Sequence, residues 1–273
     1  MERKLEKLLS EAKSCVEKGN FDKGLVIYEK AINKARGGSD YAYCLFLLAS
    51  TLHDHGESER AAYLFEELKE LYSHERPLAM KKLDSIYKQI GDINRRVAIL
   101  EELSESQELR HDHIECSRTL IELSQIYIEM KRFENAESAC LKALQLIEEV
   151  IGKKNDQYVT CLEKLVEVHR KSGNKEKETE SLEKLHGIYA LNERYESCDR
   201  VLCELQERYE EGTEEHKMTL ARRAIIARQP EKYPEVIQER GEFHKDKAFK
   251  KSEHILIRKV FRVFVSSTFL DMK

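Results

Sequence analysis

A short turn, marked by a glycine or its equivalent, recurs along the chain at intervals close to 40 residues. Its clearest copies read Lys18-Gly19-Asn20-Phe21 and Ile90-Gly91-Asp92-Ile93. Glycine supplies the positive φ that ends one helix, and the Asn or Asp after it can cap the next helix. The turns lie at Gly19, Gly56, Gly91, Lys131, Gly173 and Gly212, at intervals of 37, 35, 40, 42 and 39 residues. The pattern predicts six antiparallel helical hairpins.

Fixed kinds of residue recur at fixed distances from each turn. A large apolar position eleven residues before the turn is filled by Leu8, Leu45, Met80, Leu120, Leu162 and Val201. A position five residues after the turn is filled by Gly24, Ala61, Arg96, Ala136, Glu178 and Lys217. Further positions lie four residues before the turn and nine and twelve after it, and spacings of three, four and seven share one helix face. A small residue soon after the turn lets the two helices approach closely.

The composition agrees with a helical chain and excludes some classes of function. Only three prolines and no tryptophan occur among 273 residues, and the 41% of apolar residues are enough to form a core. Charged residues make up 36% of the chain, but 47 basic and 51 acidic side chains leave a net charge of only -4. This balance argues against a chain-wide electrostatic interaction with nucleic acid or an anionic membrane.

The location of the protein is predicted from three features. The charged amino terminus lacks the apolar segment of a signal peptide. The longest uncharged run, Tyr41 to His53, is shorter than the about 20 residues that cross a bilayer. The seven cysteines contain no CxxC pair and fall mostly in apolar helical stripes, which favours free thiols in a reducing compartment. A cytoplasmic protein is expected.

The repeated turn and its offsets resemble the tetratricopeptide repeat (TPR) over about residues 5 to 228. The resemblance is strongest around Gly24, Ala61 and Ala136, which occupy the small position. The intervals exceed the standard 34 residues, so several helices should be one turn longer. The resemblance implies an all-α fold, a right-handed α-solenoid of about six TPR-like hairpins over residues 1–228. Stacked hairpins of this kind form a concave groove that binds a peptide or helix of a protein partner.

The first helix of each hairpin should line this groove, so the candidate partner-binding residues are taken from those helices. They are Tyr43, Phe46, Ser50, His53, Lys81, Ser85, Arg118, Ile121 and Gln125. Exposed aromatic side chains beside a basic residue are typical of a partner-binding patch. The alternative is that Tyr43 and Phe46 pack against the adjacent hairpin.

One ligand known for this family, the terminal carboxylate of a chaperone, is not expected here. The family members that bind it carry Lys, Arg and Asn at five positions of the first three repeats. The matching positions of this chain are Glu6, Ser10, Leu47, Leu78 and Lys82. A glutamate has the wrong sign for binding a carboxylate, and only one cation remains.

No catalytic, cofactor-binding or metal-binding motif is found, and no small-molecule substrate is expected. The motifs His53-Asp54-His55 and His111-Asp112-His113 contain metal-ligand residue types, but nothing completes a four-ligand set. The sequence contains no P-loop, no Gly-rich dinucleotide turn, no zinc-finger spacing and no serine elbow. A non-catalytic protein is predicted.

The helical pattern stops after Arg228. Residues 229–254 are predicted to form a linker or an extra helix, and residues 255–265 have the composition of a short β-strand. The segment Arg262-Val-Phe-Val-Ser-Ser-Thr-Phe-Leu-Asp-Met272 resembles the opening strand and loop of a TIR-like domain of unknown function that precedes NACHT-type NTPases. The resemblance implies that residues 255–273 are the truncated start of such a domain and that the chain is the N-terminal part of a larger STAND/NACHT-type signalling protein. The alternative is an edge strand or a disordered stub.

Three functions follow from these patterns. The first is a protein–protein interaction scaffold that binds its partner in the concave groove. The second is part of a TIR-like enzyme that binds nucleotide or processes NAD. The third is a homotypic assembly arm, in which the chain associates with itself.

Overall fold

A computed structural model describes residues 3–74 and 76–227. Within these residues the chain forms twelve α-helices and no β-strand. The helices are α1 (Arg3–Glu17), α2 (Phe21–Ala35), α3 (Tyr41–Asp54), α4 (Ser58–Leu71), α5 (Arg76–Ile90), α6 (Ile93–Leu109), α7 (His113–Glu129), α8 (Phe133–Ile151), α9 (Asp156–Ser172), α10 (Lys175–Leu191), α11 (Tyr195–Arg208) and α12 (Glu214–Ala227). The predicted all-α class is confirmed for this part of the chain. The predicted linker over 229–254 and strand within 255–273 lie outside the described residues.

The chain divides into two compact units, Met1–Ile126 and Tyr127–Lys273, and the boundary falls inside α7. The first unit contains the hairpins α1–α2, α3–α4 and α5–α6, followed by most of α7. The second unit contains α8 and the hairpins α9–α10 and α11–α12. No helix among the described residues combines the length and the apolar character needed to cross a bilayer.

The predicted turns have the backbone conformation that their glycines allow. Gly173, for example, has φ +76° and donates its N–H to carbonyls in the last turn of α9, and the side chain of Asn174 then accepts from Lys177 N at the start of α10. This is the cap geometry that joins two antiparallel helices. Lys131 adopts the same left-handed conformation without being a glycine, with φ +59°. The turn predicted at Lys131 is therefore confirmed.

The unequal intervals between turns come from unequal helices. The helices α1 to α5 contain 14 or 15 residues, whereas α6 to α10 contain 17 to 19. The two to five additional residues per helix correspond to about half a turn to one and a half turns. The predicted lengthening of several helices is thus confirmed.

The small position after each turn lies where two antiparallel helices approach closely. At Gly24 a β-carbon would lie 2.5 Å from Val16 Cγ2 and 3.2 Å from the carbonyl oxygen of Ala12. Ala61 and Ala136 occupy the matching positions and are fully buried. A larger side chain at any of these positions would push the helices apart, which explains why the repeat is clearest there.

Two further turns of the same kind were not predicted, because neither contains glycine and both fall midway between predicted turns. His111, between α6 and α7, has φ 58°, and Glu193, between α10 and α11, has φ 56°. Five residues after each turn stands a buried cysteine, whose thiol donates to a carbonyl twelve residues earlier. Cys116 Sγ lies 3.3 Å from Ser104 O, and Cys198 Sγ lies 3.6 Å from His186 O. Cysteine is small enough to serve as the close-contact residue here.

Arg96 stands at the small position of the third hairpin, where it joins three helices of the first unit. Its Nε donates to Asp84 Oδ1 on α5 at 2.7 Å, and its Nη2 donates to Glu122 on α7. The side chains of Arg96 and Asp84 are 13% and 16% exposed, so this ion pair is partly shielded from water. The third hairpin therefore has an ion pair at the position where the first, second and fourth hairpins have a close apolar contact.

Glu178 stands at the small position of the fifth hairpin and reverses this charge pattern in the second unit. Its Oε1 accepts from Arg170 Nε on α9 at 2.7 Å and from Arg208 Nη2 on α11 at 2.6 Å. The Glu178 side chain is 6% exposed, whereas those of Arg170 and Arg208 are 50% and 25% exposed. A buried carboxylate is thus neutralised by two cations that reach solvent.

His186 makes the stability of the second unit depend on pH. Burial, together with the nearby Arg222, lowers the pKa of His186 to about 4, although Glu183 acts in the opposite direction. The unfolded chain therefore binds the proton at a higher pH than the folded chain does. The contribution of His186 to the free energy of unfolding is fully present above about pH 6.5. It falls by about 3 kcal/mol as the pH is lowered toward 4.

We expect His186→Gln to reduce the loss of unfolding free energy between pH 7 and pH 4.5. Denaturant unfolding at the two pH values measures the effect. Leu191→Ala removes an exposed side chain that does not titrate from the same helix, so it is the control and should keep the pH dependence of the wild-type chain. An equal pH dependence in His186→Gln and wild type would contradict the assignment.

Candidate functional site

All nine predicted groove residues lie in the first unit, on the first helices of successive hairpins. The helix α3 carries Tyr43, Phe46, Ser50 and His53, the helix α5 carries Lys81 and Ser85, and the helix α7 carries Arg118, Ile121 and Gln125. Because each set recurs at intervals of three, four or seven residues, each lies along one side of its helix. These three sides together are called the first-helix face below.

The aromatic residues of α3 differ in exposure. Tyr43 is 48% exposed. Phe46 is half-buried, and its ring meets that of Phe65 on α4 edge to face, with 5.7 Å between the centroids. Phe46 thus packs against the second helix of its own hairpin, and Tyr43 is the aromatic side chain that a partner can reach most easily.

Two polar atoms on α3 have no hydrogen-bond partner among the described residues. They are Ser50 Oγ and His53 Nδ1, which lie one helical turn apart and are shielded from solvent. Buried polar atoms without partners are rare in folded proteins, because each carries a desolvation cost. A ligand could bond to these atoms only after the two side chains turn outward.

The helices α5 and α7 are joined by a charged cluster of Lys81, Glu115 and Arg118. Lys81 Nζ lies 2.7 Å from Glu115 Oε2, and Arg118 donates to Glu115 Oε1. The hydrogen bond from Lys81, with a further contribution from Arg118, lowers the pKa of Glu115 below its usual range. Two cations that share one carboxylate leave an excess positive charge on a surface where Lys81 and Arg118 are 52% and 62% exposed.

The other predicted residues lie close to this cluster along their helices. Ser85 is exposed one turn beyond Lys81, and Ile121 and Gln125 are half-buried beyond Arg118. The structure therefore brings Lys81 and Arg118 together through Glu115, while the four α3 residues lie along the preceding first helix.

The histidine motifs have structural contacts. His55 stacks on Phe21 with 4.3 Å between ring centroids, and the rings of His111 and His113 meet edge to face at 5.8 Å. Within residues 3–74 and 76–227, no group of three or more His, Cys, Asp or Glu side chains is arranged to bind a metal ion.

A cleft among α2, α3 and α4 of the first unit was not predicted from the sequence. It has a volume of about 380 Å³ and lies between the second helices α2 and α4, with α3 as its floor. It is lined by Glu29, Ile32 and Asn33 of α2 and by Arg36 just after that helix, by Tyr41, Leu45, Leu48 and Leu52 of α3, and by Arg60, Tyr63, Leu64 and Glu67 of α4. The signal in the sequence is a pair of opposite charges seven residues apart on each side of the cleft, Glu29 with Arg36 and Arg60 with Glu67.

Comparisons with known proteins agree with the repeat fold. Residues 115–190 match the family model of the tetratricopeptide repeat. A crystal structure of a putative kinesin light chain from Podosopora anserina, with nearly identical TPR-like repeats, is 18% identical with a TM-score of 0.50, covering 71% of this chain and 100% of that one. A TPR protein from Parabacteroides merdae is 13% identical with a TM-score of 0.49, covering 95% and 100%. No curated protein matches the sequence.

The predicted tetratricopeptide-type repeat is thus confirmed. The family match covers α7 from Glu115 through most of α10, and the likeness to the kinesin light chain structure supports the same fold over a larger share of the chain. The predicted TIR-like segment lies outside the described residues and stays a prediction.

Proposed function

We propose that the chain is a non-catalytic scaffold that binds a peptide or helix of a protein partner on the first-helix face of its first unit. The observation that carries the proposal is the composition of that face. It combines the exposed ring of Tyr43, the unpartnered atoms Ser50 Oγ and His53 Nδ1, and the positive cluster around Glu115. Aromatic and arginine side chains beside polar atoms are typical of binding hot spots.

The same residues indicate the chemistry of the partner. Tyr43 and Phe46 offer apolar area to an aliphatic or aromatic side chain. Ser50 and His53 can offer hydrogen bonds to peptide backbone once their side chains turn outward. The excess positive charge of Lys81 and Arg118 favours a carboxylate, because complementary charges add to both affinity and specificity. The proposed ligand is therefore an acidic segment with at least one large apolar residue.

Selection from a displayed random peptide library on the wild-type chain would test this proposal. We expect the selected peptides to be enriched in Asp or Glu next to an apolar residue. Fluorescence anisotropy should then show that Tyr43→Ala/Arg118→Ala raises their Kd about tenfold or more, because hot-spot truncations often cost at least 1.4 kcal/mol.

The matched control is Leu191→Ala/Arg200→Ala. It removes one exposed apolar side chain and one exposed arginine from the second unit, and it should bind like wild type. The proposal fails if Tyr43→Ala/Arg118→Ala binds every selected peptide as tightly as the control does, or if the library yields no binder. Phe46 is left intact because its contact with Phe65 would mix loss of folding with loss of binding.

The scaffold proposal does not depend on the TIR-like resemblance of residues 262–272. The proposal that the chain works within a larger STAND/NACHT-type signalling protein rests on that resemblance alone. A cytoplasmic location likewise remains a proposal from the seven cysteines, none of which is joined in a disulfide.

A further inference from the structure

The cleft between α2 and α4 has charged rims whose order can be derived from the helix directions. The second helices α2 and α4 run parallel, and α3 runs antiparallel between them. At the start of α3, Tyr41 Oη donates to Glu67 Oε1 at 2.9 Å and also lies beside Arg36. Arg36 and Glu67 therefore mark one end of the cleft.

Glu29 and Arg60 mark the other end. Glu29 lies seven residues before Arg36, and Arg60 lies seven residues before Glu67, a distance of about 10 Å along a helix. The α2 rim thus runs from negative to positive, and the α4 rim runs from positive to negative in the same direction. The four charges alternate in sign around the cleft.

Tyr41 of α3 lies between Arg36 and Glu67, and among the described residues no direct ion pair is found between the four rim charges Glu29, Arg36, Arg60 and Glu67. The next pair of second helices differs. Lys69 Nζ of α4 lies 3.0 Å from Glu102 Oε2 of α6, and Arg95 Nη1 of α6 lies 3.7 Å from Glu59 Oε2 of α4. The nearest carboxylate recorded for Arg60 belongs to Glu57 on its own side, at 3.8 Å. Glu29, Arg36 and Arg60 are exposed and Glu67 is half-buried, so another molecule can reach these four charges.

The apolar part of the cleft also suits an interface. Leu45 and Leu48 form a buried floor, while Tyr63 in the middle of the α4 rim is 73% exposed. A large exposed aromatic residue beside an apolar concavity is a frequent feature of protein interfaces.

We propose that this cleft is the contact surface between two copies of the chain. A ring of four alternating charges is complementary to itself when a second copy faces it about a two-fold axis in the plane of the surface. If the axis runs along the cleft, Glu29 faces Arg60 of the second copy. If the axis runs across the cleft, Glu67 faces Arg60 of the second copy. In either arrangement all four charges meet opposite signs, and Tyr63 adds apolar area to the centre.

Sedimentation velocity of the full chain over a concentration series tests this proposal. The wild-type chain should show a reversible monomer–dimer equilibrium. Arg60→Glu places like charges opposite one another at two symmetry-related points, so it should raise the dimer Kd about tenfold or more. Lys18→Glu makes the same change of charge in the exposed turn between α1 and α2, and it should leave the Kd unchanged.

Mixing variants separates charge complementarity from a loss of folding. Arg60→Glu should form a heterodimer with Glu29→Arg if the axis runs along the cleft, or with Glu67→Arg if it runs across, although each variant alone stays monomeric. Circular dichroism should give all three the wild-type helix content. The proposal is overturned if the wild-type chain is monomeric up to about 1 mM. It is also overturned if Arg60→Glu dimerises like wild type, or if neither mixture associates.

Discussion

Replacing Phe65 with alanine is expected to destabilise the first unit by about 3–5 kcal/mol, the usual cost of removing a buried phenylalanine ring. Phe65 is fully buried on α4, and its ring supports that of Phe46 on α3 at a centroid distance of 5.7 Å. Its removal leaves a cavity between the two helices of this hairpin. It also removes the packing partner of Phe46, which belongs to the first-helix face.

Denaturant unfolding combined with hydrogen exchange measures this effect. Amides of α3 and α4 should exchange faster in Phe65→Ala, and the free energy that limits their exchange should fall by the stated amount. Leu71→Ala removes a side chain that is 58% exposed on the same helix, and it should cost no more than about 0.5 kcal/mol. Equal exchange in the two variants would show that α3 and α4 do not share the core described above.

Removing both cations from Glu178 should destabilise the second unit by about 3 kcal/mol. In Arg170→Ala/Arg208→Ala the buried carboxylate keeps its desolvation cost but loses its two partners. The value lies at the lower end for a broken buried ion pair, because Arg170 is half exposed to water. Denaturant unfolding at pH 7 measures the change.

A third substitution should restore most of the lost stability. Glu178→Ala added to the double variant places a small residue at the small position, as in hairpins one, two and four, and should bring the chain within about 1 kcal/mol of wild type. Arg194→Ala/Arg200→Ala, which removes two exposed arginines, is the control and should have little effect. A triple variant no more stable than the double variant would mean that Glu178 is not an unpaired buried charge in the latter.

The helical array could be predicted because its core residues recur in the sequence at helical spacing. Met80, Leu120 and Leu162, each eleven residues before a predicted turn, are all buried. The sixth copy was placed less well. Around Gly212, Lys217 is exposed, whereas around Glu193 all five offset positions are buried: Leu182, Tyr189, Cys198, Leu202 and Leu205. The reason is that the residue type of Glu193 does not indicate the positive φ of a turn, as a glycine would.

The charged clusters and the cleft depend on contacts that local sequence does not reveal. Arg96 and Glu178 weaken the repeat pattern when each position is considered alone. Their partners lie 12 and 30 residues away, at Asp84 and Arg208, and only the fold brings them together. The cleft between α2 and α4 depends on the spacing of two helices, which the periodicity of either helix does not determine. The first-helix residues were easier to predict, because their positions follow from the repeat.

Hydrogen exchange of the chain with and without a selected acidic peptide tests the proposed function most directly. Bound peptide should slow exchange in α3, α5 and α7 of the first unit, and Tyr43→Ala/Arg118→Ala should abolish this protection at the same peptide concentration. Protection confined to α2 and α4, or to helices of the second unit, would contradict the proposal that the first-helix face binds the partner.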